Sequence, residues 1–224
     1  MTQTDLIIKG VTAVGSSKNE LARVIEPKSL FQIDRMCATI IGGCHSLAFT
    51  EGNLVGDPLE KMSFESASFK QASDGSRVST GHGVTITQIK KYLFNSTLKR
   101  MSVLCQISDN QGTTYKVLSK GAPEVLSKFM KEKPANYSEL YRMHTMQGSR
   151  VLAMGYKNVP KMNQQQSNAF TREEAECDLI FCGFIVAECP LKPDTKAVIK
   201  ELQHASHQVK MITGDNQLTA AFIG

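Results

Sequence analysis

The residues that most directly suggest chemistry lie in the segment 120–124, which reads KGAPE. An alternating run at 114–119 precedes this segment, and an apolar pattern with helical spacing follows it at 125–130. The sequence therefore predicts a strand that ends at Lys120, a turn at the glycine, and a helix that begins at the proline with an acid in its first turn. The lysine would face the space before a helix N-terminus, which suits an anion such as a phosphate. The alternative is an ordinary strand–turn–helix with a solvated lysine.

A predicted β-hairpin brings more basic residues to the same place. Residues 101–107 have the pattern of a strand that pairs with 114–119 across a short turn. Lys99 and Arg100 precede the first strand, and Lys120 ends the second. Because the two strands are antiparallel, we expect these three cations at one rim of the sheet.

Two further side chains extend this predicted site. Phe94 ends a predicted strand over 85–94, and an aromatic face beside ammonium groups outlines a site for a purine triphosphate. Arg150 stands at the start of a predicted strand over 150–156, where its guanidinium group could bridge phosphates. The alternatives are a core aromatic for Phe94 and a surface arginine for Arg150.

An acidic residue lies in a second segment of interest, 53–61 (NLVGDPLEK). This segment predicts a short turn and then a helix with Pro58 in its first turn and Glu60 inside it. A carboxylate held beside a helix start can accept a hydrogen bond from a ribose hydroxyl or an adenine amine. The alternative is an acid that only complements the helix dipole.

Composition places the chain among ordinary globular proteins and excludes some partners. Of its 224 residues, 41% are hydrophobic and 21% are charged, which is typical of a chain that buries a core. The 26 basic and 21 acidic residues give a net charge of +5, without a basic run that would indicate a nucleic-acid partner. The longest apolar run, 179–187, is too short to cross a bilayer, so we expect the chain to lie in water.

The six cysteines form no Cys-x-x-Cys pair and follow no signal-like N-terminus. They are therefore expected to be reduced thiols that lie mostly in the core. Cys37, Cys44 and His45 are neighbours in sequence, but their spacing fits no tetrahedral zinc pattern, and no metal site is predicted from them.

The C-terminal part predicts a second structural unit. A buried strand at 179–187 is followed by a helix at 195–205 and by an apolar strand at 209–212. That last strand runs into the polar segment 213–216 (TGDN) and then into a helical pattern. Open α/β sheets bind ligands at such carboxyl ends of strands.

Together these motifs resemble the P-type ATPases. Residues 120–124 are similar to the signature of the nucleotide-binding domain in that family, and residues 211–216 (MITGDN) to a signature of its phosphorylation domain. The finer resemblance is to the type V, subclass A, ATPases of the endoplasmic reticulum. It rests on the segments 44–47 (CHSL), 55–61 (VGDPLEK), 98–103 (LKRMSV), 189–192 (CPLK) and 205–207 (ASH).

The resemblance implies a mixed α/β fold and a division of the chain. Residues 1–5 would end a phosphorylation-domain motif, 6–186 would form the nucleotide-binding domain, and 187–224 would form part of the phosphorylation domain. The first domain is expected to be a twisted antiparallel sheet flanked by helices. The last part is expected to be a partial α/β segment of the haloacid-dehalogenase-like type.

The resemblance also assigns roles to individual residues. Phe94 would stack on adenine, and Arg150 would bind phosphate. Lys99 and Lys120 would approach the base and the phosphate tail, while Glu60 would lie near the adenine end. The positions it assigns to nucleotide binding are Asp57, Glu60, Phe94, Lys99, Lys120, Gly121 and Arg150.

The catalytic positions would lie in the other domain. Thr213, Gly214 and Asp215 would sit beside the phosphoryl group, and Lys192 matches the arginine of the commoner Asp-Pro-Pro-Arg hinge. Cys189 stands where most P-type ATPases have the hinge aspartate, and this is a mark of subclass A.

The nucleophile of the family is expected upstream of Met1. The family phosphorylates the aspartate of Asp-Lys-Thr-Gly-Thr-Leu-Thr, and Thr2 matches the last threonine of that motif. The chain alone is therefore expected to bind ATP without turnover. In the intact protein the expected partners are ATP with Mg²⁺, the remaining domains and a transmembrane-helix substrate, at the cytosolic face of the endoplasmic reticulum.

Two other functions compete with this one. The first is a protein-interaction module without catalysis that carries a phosphate pocket. The second is a phosphatase-like hydrolase, which is disfavoured because no Asp-x-Asp strand start accompanies the Thr-Gly-Asp segment.

Overall fold

The computed structural model describes residues 7–13, 33–50, 53–67, 69–71, 77–79, 83–188, 190–213 and 217–223. The strands in this part of the chain are β1 (Ile7–Ala13), β2 (Ala48–Thr50), β3 (Asn53–Val55), β4 (Lys70–Gln71), β5 (Arg77–Ser79), β6 (Thr85–Asn95), β7 (Arg100–Asp109), β8 (Gly112–Gly121), β9 (Met130–Glu132), β10 (Arg150–Val159) and β11 (Leu179–Glu188). The helices are α1 (Arg35–Gly43), α2 (Pro58–Ser66), α3 (Pro123–Leu126), α4 (Tyr137–Met146), α5 (Gln164–Ala169), α6 (Arg172–Ala175), α7 (Thr195–His204) and α8 (Gln217–Ile223).

One large curled sheet organises the molecule. Its strands follow the order β1-β11-β10-β8-β7-β6-β5-β4, and each neighbour along this path is antiparallel. The short β9 joins β11 in parallel, and β2 and β3 form a separate two-stranded ribbon. The predicted twisted antiparallel sheet with flanking helices is confirmed.

The hairpin of β7 and β8 positions the predicted site. Its register pairs Arg100 with Gly121 and Met101 with Lys120, so the basic pair and the lysine do meet at one rim, as the sequence predicts. At the other end, Gly112 has φ +130°, a conformation that a residue with a side chain rarely adopts.

The sheet buries apolar side chains on both faces. Along β11, Ile185 belongs to a cluster that includes residues of α1, whereas Phe184 belongs to an aromatic cluster with Tyr137 of α4. Neighbouring residues of a strand point to opposite faces, so α1 and α4 cover opposite sides of the sheet.

An aspartate caps the N-terminus of each of the helices α1 and α2. Asp34 Oδ1 accepts hydrogen bonds from the amides of Met36 and Cys37, at 2.8 and 3.2 Å, at the start of α1. Asp57 Oδ1 accepts hydrogen bonds from the amides of Leu59 and Glu60, at 2.9 and 3.0 Å, at the start of α2, whose first helical residue is a proline. Each cap typically stabilises a helix by about 1 kcal/mol.

Two predicted elements differ from the structure. The helix expected over 125–130 ends at Leu126, continues as a short 3₁₀ turn, and gives way to β9 at Met130. Met130 pairs with Leu179 of β11, so sheet hydrogen bonds outweigh the local helical pattern.

The strand expected over 209–212 is also wrong. Residues 207–213 have no regular structure, and the side chain of Ile212 is 96% exposed. A strand needs a neighbour for its backbone hydrogen bonds, and none of the described strands pairs with this segment. The partial α/β segment therefore contains the predicted helix, as α7, and then α8, without the strand between them.

Among the described residues, no helix is both long enough and apolar enough to span a membrane.

Candidate functional site

A cavity of about 710 Å³ opens beside the rim where β6, β7, β8 and β10 converge. Its size lies within the range of 300–1,000 Å³ that is common for small-molecule sites. Its walls come from the starts of α3 and β10, the turn between β6 and β7, α2, α4 and α8. The lining residues are Leu59, Phe94, Ser96, Lys99, Ala122, Pro123, Glu124, Tyr141, Thr145, Ser149, Arg150, Val151, Leu152, Gln217 and Thr219.

Three of the sequence-predicted residues line this one cavity: Phe94, Lys99 and Arg150. The side chain of Phe94 is 60% exposed, so its ring is open to a ligand and is not part of the core. An open aromatic ring that lines the same cavity as an ammonium and a guanidinium group can stack on a base, while the two cations pair with an anion.

A tight turn sets the position of Lys99. Asn95 Oδ1 accepts the amides of Thr97 and Leu98, at 2.8 and 3.1 Å, and Lys99 itself has φ +50°. The Lys99 carbonyl oxygen then accepts the Ala122 amide at 2.9 Å, which joins this turn to the start of α3.

Gly121 is required by that close approach. A Cβ atom at this position would lie 2.6 Å from Arg100 Cβ and 2.7 Å from the Lys99 carbonyl oxygen. Gly121 does not line the cavity, and its effect on the site acts through the backbone of Lys99.

Lys120 and Glu60 form a buried ion pair behind the cavity wall. Lys120 Nζ lies 2.9 Å from Glu60 Oε1, and each side chain is 7% exposed. The amide and hydroxyl of Ser46 donate to Glu60 Oε2 at 2.9 and 3.1 Å. Neither charged residue lines the cavity, but Leu59 and Ala122, close to them in sequence, do. The pair therefore joins α2 to the end of β8.

Burial and the charges of the ion pair together shift the pKa values of Glu60 and of nearby His45. Burial alone would raise the pKa of Glu60, but Lys120 and the two Ser46 hydrogen bonds outweigh burial and lower it. Burial, followed by the charge of Lys120, lowers the pKa of nearby His45 to about 4. At neutral pH Glu60 is therefore an ionised carboxylate and His45 is a neutral imidazole.

Arg100 is held away from the cavity by a second buried network. Its Nε donates to Glu176 Oε2 at 2.6 Å, and Ser102 Oγ donates to the other carboxylate oxygen at 2.9 Å. The guanidinium carbon lies 4.2 Å from the centroid of the Phe129 ring. Arg100 therefore anchors the start of β7, while its neighbour Lys99 reaches the cavity.

The remaining predicted residues lie elsewhere. Asp57 caps α2 and does not line the cavity. Lys192 and Thr213 are exposed and do not line it either. Gly214 and Asp215 lie outside the described residues.

Helix α8 contributes lining residues that the sequence motifs did not single out. Gln217 and Thr219 face the cavity, and Thr219 Oγ1 lies 3.4 Å from the Ser149 carbonyl oxygen. The ring of Phe222 packs against Gly148, which has φ +79° in the turn before β10. No local pattern signals this docking, because it joins segments about 70 residues apart.

The fold and the cavity define a mixed α/β domain built around a curled antiparallel sheet with a ligand-sized site at its rim. Residues 81–194 match the family model of the P-type ATPase cytoplasmic domain N, and this match covers half of the chain. The chain therefore belongs to the P-type ATPases.

Similar proteins carry several names. The chain is 40% identical over 185 residues to the probable manganese-transporting ATPase PDR2 of Arabidopsis thaliana, a match that covers 82% of the chain and 15% of the relative. It is 33% identical over all 224 residues to the endoplasmic reticulum transmembrane helix translocase of Saccharomyces cerevisiae, covering 18% of that protein. It is 33% identical over 204 residues to the human probable cation-transporting ATPase 13A5, a match that covers 83% of the chain and 16% of that relative. The chain thus spans less than a fifth of the length of these relatives.

Proposed function

We propose that this chain is the ATP-binding part of a P-type ATPase, and that the cavity holds the nucleotide. The observation that carries this proposal is the convergence of Phe94, Lys99 and Arg150 on one cavity from two separate places in the chain, the β6–β7 turn and the start of β10. An exposed phenylalanine ring and two cations that line one cavity offer a stacking surface and positive charge to a flat ligand that carries negative charge.

In this proposal adenine stacks on Phe94, and the phosphates lie toward Lys99 and Arg150. Stacking contributes about 1–3 kcal/mol, and each charge-assisted hydrogen bond about 1.5–3 kcal/mol. The loss of translational and rotational freedom offsets at least 4 kcal/mol of this gain. The expected Kd is therefore nearer about 1 mM than 1 nM, which suits a domain that must release its ligand in every cycle.

Lys120, Glu60, Asp57 and Gly121 act in this proposal as positioning residues. The Lys120–Glu60 pair and the Asp57 cap hold α2, whose Leu59 lines the cavity. Gly121 allows the approach that fixes Lys99. These residues would affect nucleotide binding through the cavity wall.

The intact protein would pass the γ-phosphate to an aspartate outside this chain. Thr213, Gly214, Asp215 and Lys192 are proposed to lie on the phosphorylation side of that reaction. Mg²⁺ would supply charge neutralisation of the phosphates. Among the described lining residues Glu124 is the one carboxylate, which is too few ligands to fix this ion, so no step is assigned to it here.

We further propose that the intact protein works at the endoplasmic reticulum, on the cytosolic side, and moves transmembrane helices. The support is the match of all 224 residues of this chain to part of the Saccharomyces cerevisiae protein of that name, and two similar matches from Schizosaccharomyces pombe and Aspergillus fumigatus, at 32% and 31% identity. The relatives named for manganese or cation transport make metal cations the competing cargo.

The proposal is tested by titrating ATP while observing backbone amide shifts. Phe94→Ala, Lys99→Ala and Arg150→Ala should each weaken binding by about tenfold or more, since each removes one stacking or charged contact. Lys161→Ala is the matched control, because this exposed lysine lies beyond the far end of β10. Equal affinity in all four variants and the parent chain would refute the proposal.

The expectation that the chain does not turn over ATP needs its own measurement. Incubation with γ-labelled ATP should leave no labelled protein and should release no phosphate above the rate of a Phe94→Ala control. Stoichiometric labelling of the protein would contradict the expectation that the chain does not turn over ATP.

A further inference from the structure

A group of three potential metal ligands lies far in sequence from the cavity residues. Cys37 Sγ lies 3.2 Å from Cys182 Sγ, and Cys182 Sγ lies 3.9 Å from Asp34 Oδ1. One ligand atom of each residue lies within 4.8 Å of the others. None of the three lines the cavity, so the group is separate from the proposed nucleotide site.

A β-bulge aims Cys182 at α1. The register of β10 and β11 places Met154 opposite Gly183 but Gly155 opposite Phe181, so Cys182 is the extra residue. Phe181 faces the aromatic cluster beside α4, whereas the next residue, Cys182, faces the cluster beside α1. Bulges often redirect a side chain in this way, and they are common next to functional sites.

Gly183 leaves the space that brings the sulfur atoms together. A Cβ atom at this position would lie 3.0 Å from Cys37 Sγ and would overlap the Thr12 carbonyl oxygen. With glycine there, β1 and α1 both approach β11 closely. The contact between the two thiols thus depends on the backbone of three elements.

The third ligand is already oriented. Asp34 Oδ1 is fixed by the amides of Met36 and Cys37, at 2.8 and 3.2 Å. Hydrogen bonds of this kind orient metal-binding carboxylates in known sites. Asp34 is exposed, whereas Cys37 and Cys182 are buried, so the group is open to solvent on the aspartate side.

We propose that Asp34, Cys37 and Cys182 bind a borderline-soft divalent cation, with Zn²⁺ as the natural occupant. Two thiolates and one carboxylate are a ligand set that Zn²⁺ accepts, with water in the fourth position. Tetrahedral Zn²⁺ with Zn–S distances of about 2.3 Å separates its sulfur atoms by about 3.8 Å, so the thiols, now 3.2 Å apart, must part by about 0.6 Å. Each thiol releases its proton to solvent as the metal binds.

The bound ion would connect α1 to the centre of β11. It would stabilise the fold without contacting the cavity, so ATP affinity should stay the same when the metal is added. This prediction also separates the inference from the proposed function, because either can fail alone.

The test is a Zn²⁺ titration of the reduced chain against a chromophoric chelator, followed by Co²⁺ substitution to observe the thiolate charge-transfer band. The parent chain should bind one equivalent and show that band. Cys37→Ser and Cys182→Ser should weaken binding by about 100-fold, and Asp34→Asn by about tenfold. Asparagine still caps α1, so the last variant changes a ligand while keeping the helix start.

Cysteine variants elsewhere provide the matched controls. Cys44→Ser and Cys105→Ser replace buried thiols in the same core, and Cys177→Ser replaces a partly exposed thiol. All three should bind like the parent chain, with circular dichroism confirming the fold of each variant. The proposal is overturned if the reduced parent chain binds no stoichiometric metal, or if Asp34→Asn binds as tightly as the parent.

Discussion

The buried ion pair between Lys120 and Glu60 makes a quantitative prediction about stability. Its atoms are 2.9 Å apart and each side chain is 7% exposed, so Lys120→Met leaves a carboxylate in the interior without a cation. Breaking a buried pair in this way typically lowers the free energy of unfolding by about 3–5 kcal/mol. Because Ser46 still donates two hydrogen bonds to Glu60, we expect the lower end, about 3 kcal/mol.

Urea unfolding at pH 7, followed by circular dichroism, measures this loss. The double variant Lys120→Met, Glu60→Gln should be more stable than Lys120→Met alone, because it removes the stranded charge. Lys161→Met, at an exposed lysine, should stay within about 0.5 kcal/mol of the parent chain. A loss below about 1 kcal/mol in Lys120→Met, or a double variant no more stable than the single one, would refute the reasoning.

The same pair fixes the sign of a pH effect. The folded pKa of Glu60 lies below its ordinary 4.5, so the contribution of the pair is present above pH 4.5 and is lost as pH falls through the folded pKa. In Lys120→Met burial is no longer opposed by a cation, so the pKa of Glu60 should rise instead. The acid-dependent loss of stability should therefore be smaller in this variant than in the parent chain.

Three further predictions concern the same region. The folded pKa of His45, about 4, is below its ordinary 6.5, so the contribution of the neutral imidazole to stability is full above pH 6.5. The free energy of unfolding should therefore fall by about 2 kcal/mol between pH 7 and pH 5 because of this residue. His45→Gln should abolish this His45-dependent part of the pH dependence in urea unfolding. Gly121→Ala should lower stability by about 1–3 kcal/mol and weaken ATP binding, because the new Cβ displaces the Lys99 backbone; calorimetry with and without ATP measures both, and an unchanged ATP affinity would contradict it. Glu176→Ala should lower stability by about 3–5 kcal/mol by stranding Arg100, and a loss within about 0.5 kcal/mol in thermal unfolding would argue against that network.

The sequence predicts those elements whose signals are local. The β7–β8 hairpin follows from two alternating runs around a turn, and α2 follows from a proline in the first turn of the segment 53–61. The grouping of Phe94 with Lys99 follows from their positions at the two ends of one short turn. Each of these inferences uses residues close to one another in the chain.

The differences arise where distant segments decide the outcome. Met130 is helical by local pattern but becomes β9 because Leu179 of β11 lies beside it. Lys120 carries a family signature, yet its nearest partner is Glu60, 60 positions away, and this pairing keeps it out of the cavity lining. The docking of α8 on the turn at Gly148 and Ser149 has the same origin.

The central claim, that a purine triphosphate stacks on Phe94 in the cavity, has a direct optical test. The chain contains five tyrosines but no tryptophan, so Phe94→Trp creates a single tryptophan that can be excited selectively and that keeps an aromatic face at the stacking position. ATP should quench this fluorescence with a Kd near about 1 mM, and Arg150→Ala in the same background should weaken the response by about tenfold. Fluorescence that stays unchanged up to tenfold above that concentration would contradict the claim.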